Sequence, residues 1–228
     1  MKAGTGPYPD ARASAWTSIR DIIRDELDQR RQSPRDDMLS GVAHGTIDGE
    51  VISDNVAVNL AFTVFLGGLD TLPSNIGWTF RYLAEHLEQR QQLVHDPSLA
   101  HAAAEEFLRV FPSVPRTGGA VTPDAKFHGI DLRAGDKVIG ITTAANRDST
   151  HFEDPMSVRF DRTANRHLSF SAGPHRCLGS HLARHELAVA LQEWDAGIPS
   201  YRVPPNTRST YHGGLVFAID ELPLEWNV

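Results

Sequence analysis

Residues 170–179 read FSAGPHRCLG. Cys177 is the one cysteine of the chain. It follows a Gly173-Pro174 turn. It precedes a segment in which Leu178, Leu182, Leu187, Leu191 and Trp194 recur at helical spacing, which predicts a helix from about 178 to 194. A turn that feeds a helix sets a side chain beside unpaired N–H groups, which stabilise a thiolate. Gly173 and Gly179 allow backbone to approach something flat and bulky. His175 and Arg176 add positive charge. These are the demands of a haem thiolate ligand. The same residues admit other chemistry. A lone cysteine can be a small buried hydrophobe. Cys177, His181 and His185 recur at i, i+4 and i+8, with His175 and His167 near in sequence, as a zinc cluster would require. A thiol paired with a histidine could also be a nucleophile.

Composition narrows the setting. The 228 residues are 40% hydrophobic, enough for one sizeable core, and no linker divides them, so 1–228 reads as a single domain. A formal charge of −7 argues against nucleic acid, which needs a concentrated basic surface. No apolar run reads as long enough to cross a bilayer. The N-terminal MKAGTGPYPD has no signal-peptide core. One cysteine excludes an intramolecular disulfide and fits a reducing, cytoplasmic location.

Residues 1–12 read as a polar lead. Trp16, Ile19, Ile22, Ile23 and Leu27 predict a helix over about 13–31, which ends before Ser33-Pro34. A short helix is expected at 35–43, and a turn or small hairpin around Asp48-Gly49. Ser53 can cap the next helix. VAVNLAFTVFL, residues 56–66, is apolar on nearly every face, as a central helix would be. That helix is expected to run to about 87, with an opening or kink at 67–73, where Gly67, Gly68 and Pro73 are poor helix material. Another helix is expected at 98–111, and strands at 125–131 and 137–142 joined by the turn 133–136. A coil over AANRDSTHFEDP follows, and turns and short strands form the tail.

FSAGPHRCLG resembles the haem-binding loop of the cytochrome P450 family, F-x-x-G-x-x-x-C-x-G, at every fixed position. Leu182-Ala183-Arg184 continues the pattern. Glu106-Phe-Leu-Arg109 is similar to the family's E-x-x-R motif, and the segment around Arg159-Phe160 resembles the region that gives a second arginine to that glutamate. Ala145-Asn-Arg-Asp148 and Phe152-Glu-Asp-Pro155 are also family-like. Gly67-Gly68-Leu69-Asp70-Thr71 resembles the kinked centre of the family's I helix, with wording closest to the bacterial camphor monooxygenase group. The resemblance covers essentially the whole chain. It implies a mainly α fold with small β elements, the C-terminal part of the cytochrome P450 fold, from the end of the G helix onward.

The resemblance also implies roles. Cys177 would bind the iron of haem b as the axial thiolate. Gly67, Gly68, Arg116, Phe170, His175 and Gly179 would flank the haem, with His175 reaching a propionate. Asp70 and Thr71 would form the distal site that delivers protons to dioxygen. The activity implied is insertion of one oxygen atom from dioxygen into a small apolar substrate of the terpenoid kind, with electrons from a ferredoxin-like partner. Two features depart from the family. Gly119 or Ala120 stands where a propionate-binding arginine is common, so Arg116 would have to substitute. Regions that close the haem and substrate pocket in the family have no counterpart here, which gives the alternative reading: a truncated, catalytically inactive fragment.

Overall fold

The computed structural model describes residues 9–226, which form two compact units, one through Gly68 and one from Leu69. Residues 1–8 of the expected polar lead lie outside the described residues.

The first unit holds α1 (Pro9–Gln32), α2 (Met38–Ala43), the hairpin β1 (Thr46–Ile47) and β2 (Glu50–Val51), and α3 (Asp54–Leu69). The first helix begins earlier than its apolar periodicity indicates. Proline is tolerated at a first helical position, whose N–H would be unpaired anyway. Ile23 and Leu27 pack with Ala43, Ala57, Val58, Ala61 and Phe62. Asp37 caps α2, accepting a 2.8 Å hydrogen bond from the Ser40 backbone. That bond, with the Arg30 guanidinium 2.9 Å away, holds the Asp37 carboxyl at about 2. Asp48 and Gly49 both adopt positive φ, which makes the expected hairpin turn.

The second unit opens with α4 (Thr71–Glu85). The expected opening at 67–73 contracts to a break at Asp70. Pro73 falls in the first turn of α4, where no intrahelical N–H bond is lost. Asp54–Glu85, taken end to end, has 32 residues and a mean hydropathy of 1.5 over its most apolar window. Length and composition alone would therefore let it cross a bilayer, which corrects the expectation that no such run exists. Its second half is nonetheless built into the core. Ser74, Asn75, Thr79, Phe80 and Leu83 are buried, and Asn75 donates to the Phe111 carbonyl at 2.8 Å. It is not a convincing membrane span.

The helix expected to run to 87 ends at Glu85, and a separate α5 (Leu87–His95) follows. A 3₁₀ turn (Pro97–Leu99) leads into α6 (Ala100–Val110). Ala103, Ala104 and Phe107 of α6 meet Leu187, Ala188 and Leu191 of α8 (Ser180–Gly197) in the main core. Small residues on α6 permit close approach, and each large apolar side chain so buried stabilises by roughly 1.5–3 kcal/mol.

The strands differ from expectation in pairing. Segment 125–132 is itself a hairpin, β4 (Ala125–Phe127) with β5 (Ile130–Leu132), turning at His128-Gly129 with positive φ at both. β6 (Lys137–Ile141) pairs instead with β3 (Arg116–Ala120), in register Arg116 to Ile141. A short α7 (Thr142–Ala145) follows β6. The tail forms β7 (Tyr201–Arg202) with β10 (Glu225–Trp226), and β8 (Thr210–His212) with β9 (Ala218–Glu221). The fold is mainly helical with small two-stranded sheets, as expected.

At its centre Glu106 and Arg109 are fully buried and joined twice, at 2.7 and 2.9 Å. Every N–H of Arg109 is used: the others reach the carbonyls of Asn146, Pro155 and Ser157. Glu106 also accepts from Arg162 Nε at 3.1 Å, Asn165 Nδ2 at 3.1 Å and the Arg159 backbone N–H at 3.0 Å. The second arginine is thus Arg162. The Arg159 side chain turns outward to Asp161 and Glu153, which corrects its expected role. Glu106→Ala would strand two guanidinium groups and should cost about 3–5 kcal/mol in urea unfolding, whereas Arg159→Ala should cost less than about 1 kcal/mol.

Candidate functional site

The cysteine loop hangs from this charge cluster. Asn146 is fully buried. Its amide nitrogen donates to the Arg109 carbonyl at 3.0 Å and to Ser169 Oγ at 2.8 Å, while its oxygen accepts from the Leu168 N–H at 2.7 Å. Ser169 Oγ donates to the Leu108 carbonyl at 2.6 Å. These bonds fix the strap that leads into Phe170. The half-buried Phe170 ring packs on the main core, with the Arg184 guanidinium 4.6 Å from its centre. The Phe170 carbonyl accepts from the Cys177 N–H at 2.9 Å and closes the loop. Ser171 (φ 58°) and Gly173 (φ 69°) take left-handed backbone inside it, the conformation glycine adopts at least cost.

A second brace ties the strap to α6 and α8. Glu105 accepts from Arg184 and, at 3.1 Å, from His167 Nε2. His167 Nδ1 accepts from the Ser169 N–H at 3.2 Å, which makes Nε2 the protonated nitrogen of the neutral ring. Burial alone would raise the Glu105 carboxyl, but the bonds from His167 and Arg184 prevail and hold it at about 2. Its folded pKa is depressed. The stabilisation is therefore present above the ordinary carboxylate range and lost as pH falls toward 2.

The expected site residues are positioned as follows. Cys177 is an exposed free thiol three residues ahead of α8, whose first turn begins at Ser180. His175 and Gly179 are exposed beside it, and Leu178 is 83% exposed. A Cβ built on Gly179, Gly67 or Gly68 would meet nothing within 4 Å. Arg116 is exposed at the start of β3. A shallow cleft of about 240 Å³ lies between β3 and β6 on one side and Leu168, Ser171 and Ala172 of the strap on the other. Ile139 and Ile141 of β6 are exposed.

A haem held by Cys177 does not fit these residues as an enclosed site. The ligand cysteine is solvent-exposed, and among the described residues no three His, Cys, Asp or Glu side chains converge to hold a metal ion. The expectations of an intact thiolate-ligated haem b site and of a competent haem-thiolate monooxygenase are corrected on this ground. The zinc cluster fails with them. His181 and His185 are exposed on α8, and the ring of His185 lies 6.4 Å from His101.

Asp70 sits between α3 and α4, half-exposed, and caps neither helix end with its side chain. Its partner is a residue that sequence reading did not single out. His212, on β8, places Nε2 3.8 Å from Asp70 and Nδ1 2.5 Å from Asp220 on β9. The hairpin is drawn there because the Phe217 carbonyl accepts from Ser74 Oγ at 2.6 Å and Trp78 Nε1 at 2.9 Å. The Thr71 carbonyl accepts from Ser113 Oγ at 2.5 Å. Asp70 thus faces an imidazole held between two carboxylates, an arrangement that can bind a proton.

Residues 10–194 match the sequence profile of cytochrome P450. A probable cytochrome P450 127A1 from Sinorhizobium fredii is 35% identical over 217 residues, which covers 95% of this chain and 52% of that protein. Steroid C26-monooxygenase from Mycolicibacterium smegmatis is 33% identical over 188 residues, covering 82% of this chain and 47% of that one. Among solved structures, CYP101J2 superposes with a TM-score of 0.89 at 36% identity, covering 97% of this chain and 56% of that chain. CYP109E1 from Bacillus megaterium, in complex with testosterone, gives 0.90 at 27% identity, covering 95% and 61%. The chain belongs to the cytochrome P450 family. It spans about half the length of the curated relatives it matches.

The His212 hydrogen bond to Asp220, ahead of the smaller pull of Asp70, raises the imidazole pKa above its ordinary value. NMR titration should place the His212 midpoint above about 6.5, and Asp220→Asn should lower it more than Asp70→Asn. The clasp should hold below that ordinary value and loosen as pH rises through the folded midpoint.

Proposed function

We propose that this chain is the cysteine-bearing part of a cytochrome P450 domain and that, acting alone, it is catalytically inactive because its haem and substrate pocket is incomplete. The exposure of Cys177 carries this reading. A thiolate that is to push electron density into an iron–oxygen bond must sit in a shell that limits solvent and fixes the ligand. Here Leu178 and Leu182 beside it are 83% and 60% exposed. Apolar surface of that kind marks a face built to be covered.

Kinship supports an oxygenase-type lineage. Small hydrophobic substrates and a ferredoxin-type electron donor accompany that lineage in general. A cytoplasmic setting agrees with a lone cysteine kept as a thiol. Asp70 and Thr71 would retain the distal position of the lineage, with Asp70 modulated by His212.

The test supplies the purified chain with haem, reductant and carbon monoxide, and separately with dioxygen and a ferredoxin-type electron source. The expected result is no thiolate-type Soret band and no oxygenated product. A full thiolate-type band that vanishes in Cys177→Ser, accompanied by turnover, would overturn the proposal.

A further inference from the structure

The corner where α5 meets β7 holds an arginine whose hydrogen bonds are only partly spent. Arg90, on α5, is 6% exposed. Its Nη1 donates to the carbonyls of Leu83, at 3.3 Å, and of Tyr201. Its Nε is buried and bonds to nothing among the described residues, and Nη2 makes no bond there either. A guanidinium taken out of water ordinarily spends its donors, because each unpaired one costs desolvation energy. Arg109 does so completely. Arg90 instead keeps its Nε–Nη2 edge free, the fork that matches a carboxylate. Nε is sealed from solvent and Nη2 is not, so a guest meets the guanidinium first at Nη2. The Tyr201 hydroxyl is also buried and unanswered, and its ring centre lies 4.8 Å from the guanidinium carbon.

Arg90 lines a cleft of about 320 Å³ together with Ser200, Tyr201, Arg202, Glu225 and Trp226. That volume is at the lower end of small-molecule sites. In the β7–β10 ladder Trp226 stands opposite Tyr201 and Glu225 opposite Arg202. Arg202 gives Nε and Nη2 to a single oxygen of Glu225, at 3.1 and 3.0 Å. The cleft therefore sets two guanidinium groups against one carboxylate, in a chain whose formal charge is −7. Asp195 pulls on Arg90 through space, but its oxygens bond to no donor among the described residues and it lines a separate cavity. Trp226 stands edge-on to Trp194 at 6.1 Å and is 45% exposed, which leaves ring surface for a flat guest. The lining selects that guest. A cation is repelled by Arg90 and Arg202. A neutral apolar molecule covers Trp226 and leaves Arg90 unanswered. A dianion exceeds the single surplus positive charge and meets Glu225. A flat monoanion answers both the guanidinium and the ring.

We propose that this cleft is a binding site for a small aromatic monocarboxylate, whose carboxylate docks on the Arg90 guanidinium at Nη2 and whose ring lies on Trp226. Arg202 and Glu225 set the charge beside it. The site lies wholly within the second unit and uses neither Cys177 nor Asp70.

The test adds naphthoate, its neutral amide and inorganic phosphate in turn to the full 228-residue chain at low ionic strength, followed by calorimetry and by NMR of the Trp226 indole and Arg90 Nε signals. Naphthoate should bind saturably, with a dissociation constant of about 1 mM or tighter, and should move both signals. The amide and phosphate should each bind at least about tenfold more weakly. Arg90→Ala would also remove the bonds to the Leu83 and Tyr201 carbonyls and loosen the corner, so the more exposed pair carries the decisive variants. Glu225→Gln should tighten naphthoate several-fold and Arg202→Ala should weaken it several-fold. Absence of binding, or equal binding of naphthoate and its amide, would overturn the proposal. Tighter binding of phosphate would mark a general anion site and overturn it too. Signal shifts at Trp78 in place of Trp226, or an affinity that neither Glu225→Gln nor Arg202→Ala moves, would put the ligand elsewhere and overturn it equally.

Discussion

A buried carboxylate cannot stand alone, and Glu106 is completely buried. It is held by two guanidinium groups, a backbone N–H and an amide, and its partner Arg109 spends every remaining N–H on carbonyls of the irregular segment 146–157. That segment has little regular structure of its own to satisfy its backbone. The ion pair on α6 supplies what a sheet or helix would otherwise provide. Through Asn146 and Ser169 the same bonds reach Phe170, and through the Phe170 carbonyl they reach the Cys177 N–H. The cysteine loop is thus positioned by a charge cluster deep in the second unit.

A well-placed loop is not an enclosed site. The loop is braced from behind by α6 and α8 while its front, with Cys177, Leu178 and Leu182, faces solvent. In the first unit, Val56, Leu60 and Val64 leave an apolar stripe of α3 exposed at i, i+4 spacing. The family relatives are about twice as long as this chain. Scaffold and ligand-bearing loop are therefore family-like, while the surroundings that would turn a thiol into a shielded iron ligand are incomplete. Fold kinship alone does not carry function, which depends on the completed site.

Much of the scaffold was legible in the sequence. The loop motif and the Glu106/Arg109 pair stand at fixed spacings, and the helices α1 and α8 declare themselves by apolar periodicity. What was misread has identifiable causes. RTGGA, residues 116–120, lacks the alternation of a half-buried strand, so β3 is invisible until β6 pairs with it. His128-Gly129 is a tight turn inside what reads as one strand. Arg159 and Arg162 lie three residues apart in a segment with no periodicity, so nothing local says which one turns inward. The Asp70–His212–Asp220 cluster joins residues from distant segments, and such contacts leave no trace in local sequence. Exposure of Cys177 was the least legible feature, because a family motif specifies the loop and says nothing about what covers it.

Cys177 is the only thiol in the chain, so its chemistry can be followed without ambiguity. The most direct measurement is the rate at which Cys177 is alkylated in the native chain, with and without stoichiometric haem, compared with the chain in denaturant. An exposed, unenclosed loop predicts native labelling comparable to that of the denatured chain, unchanged by haem. Slow labelling in the native chain, or strong protection by haem that is lost in Glu106→Gln, would contradict the account.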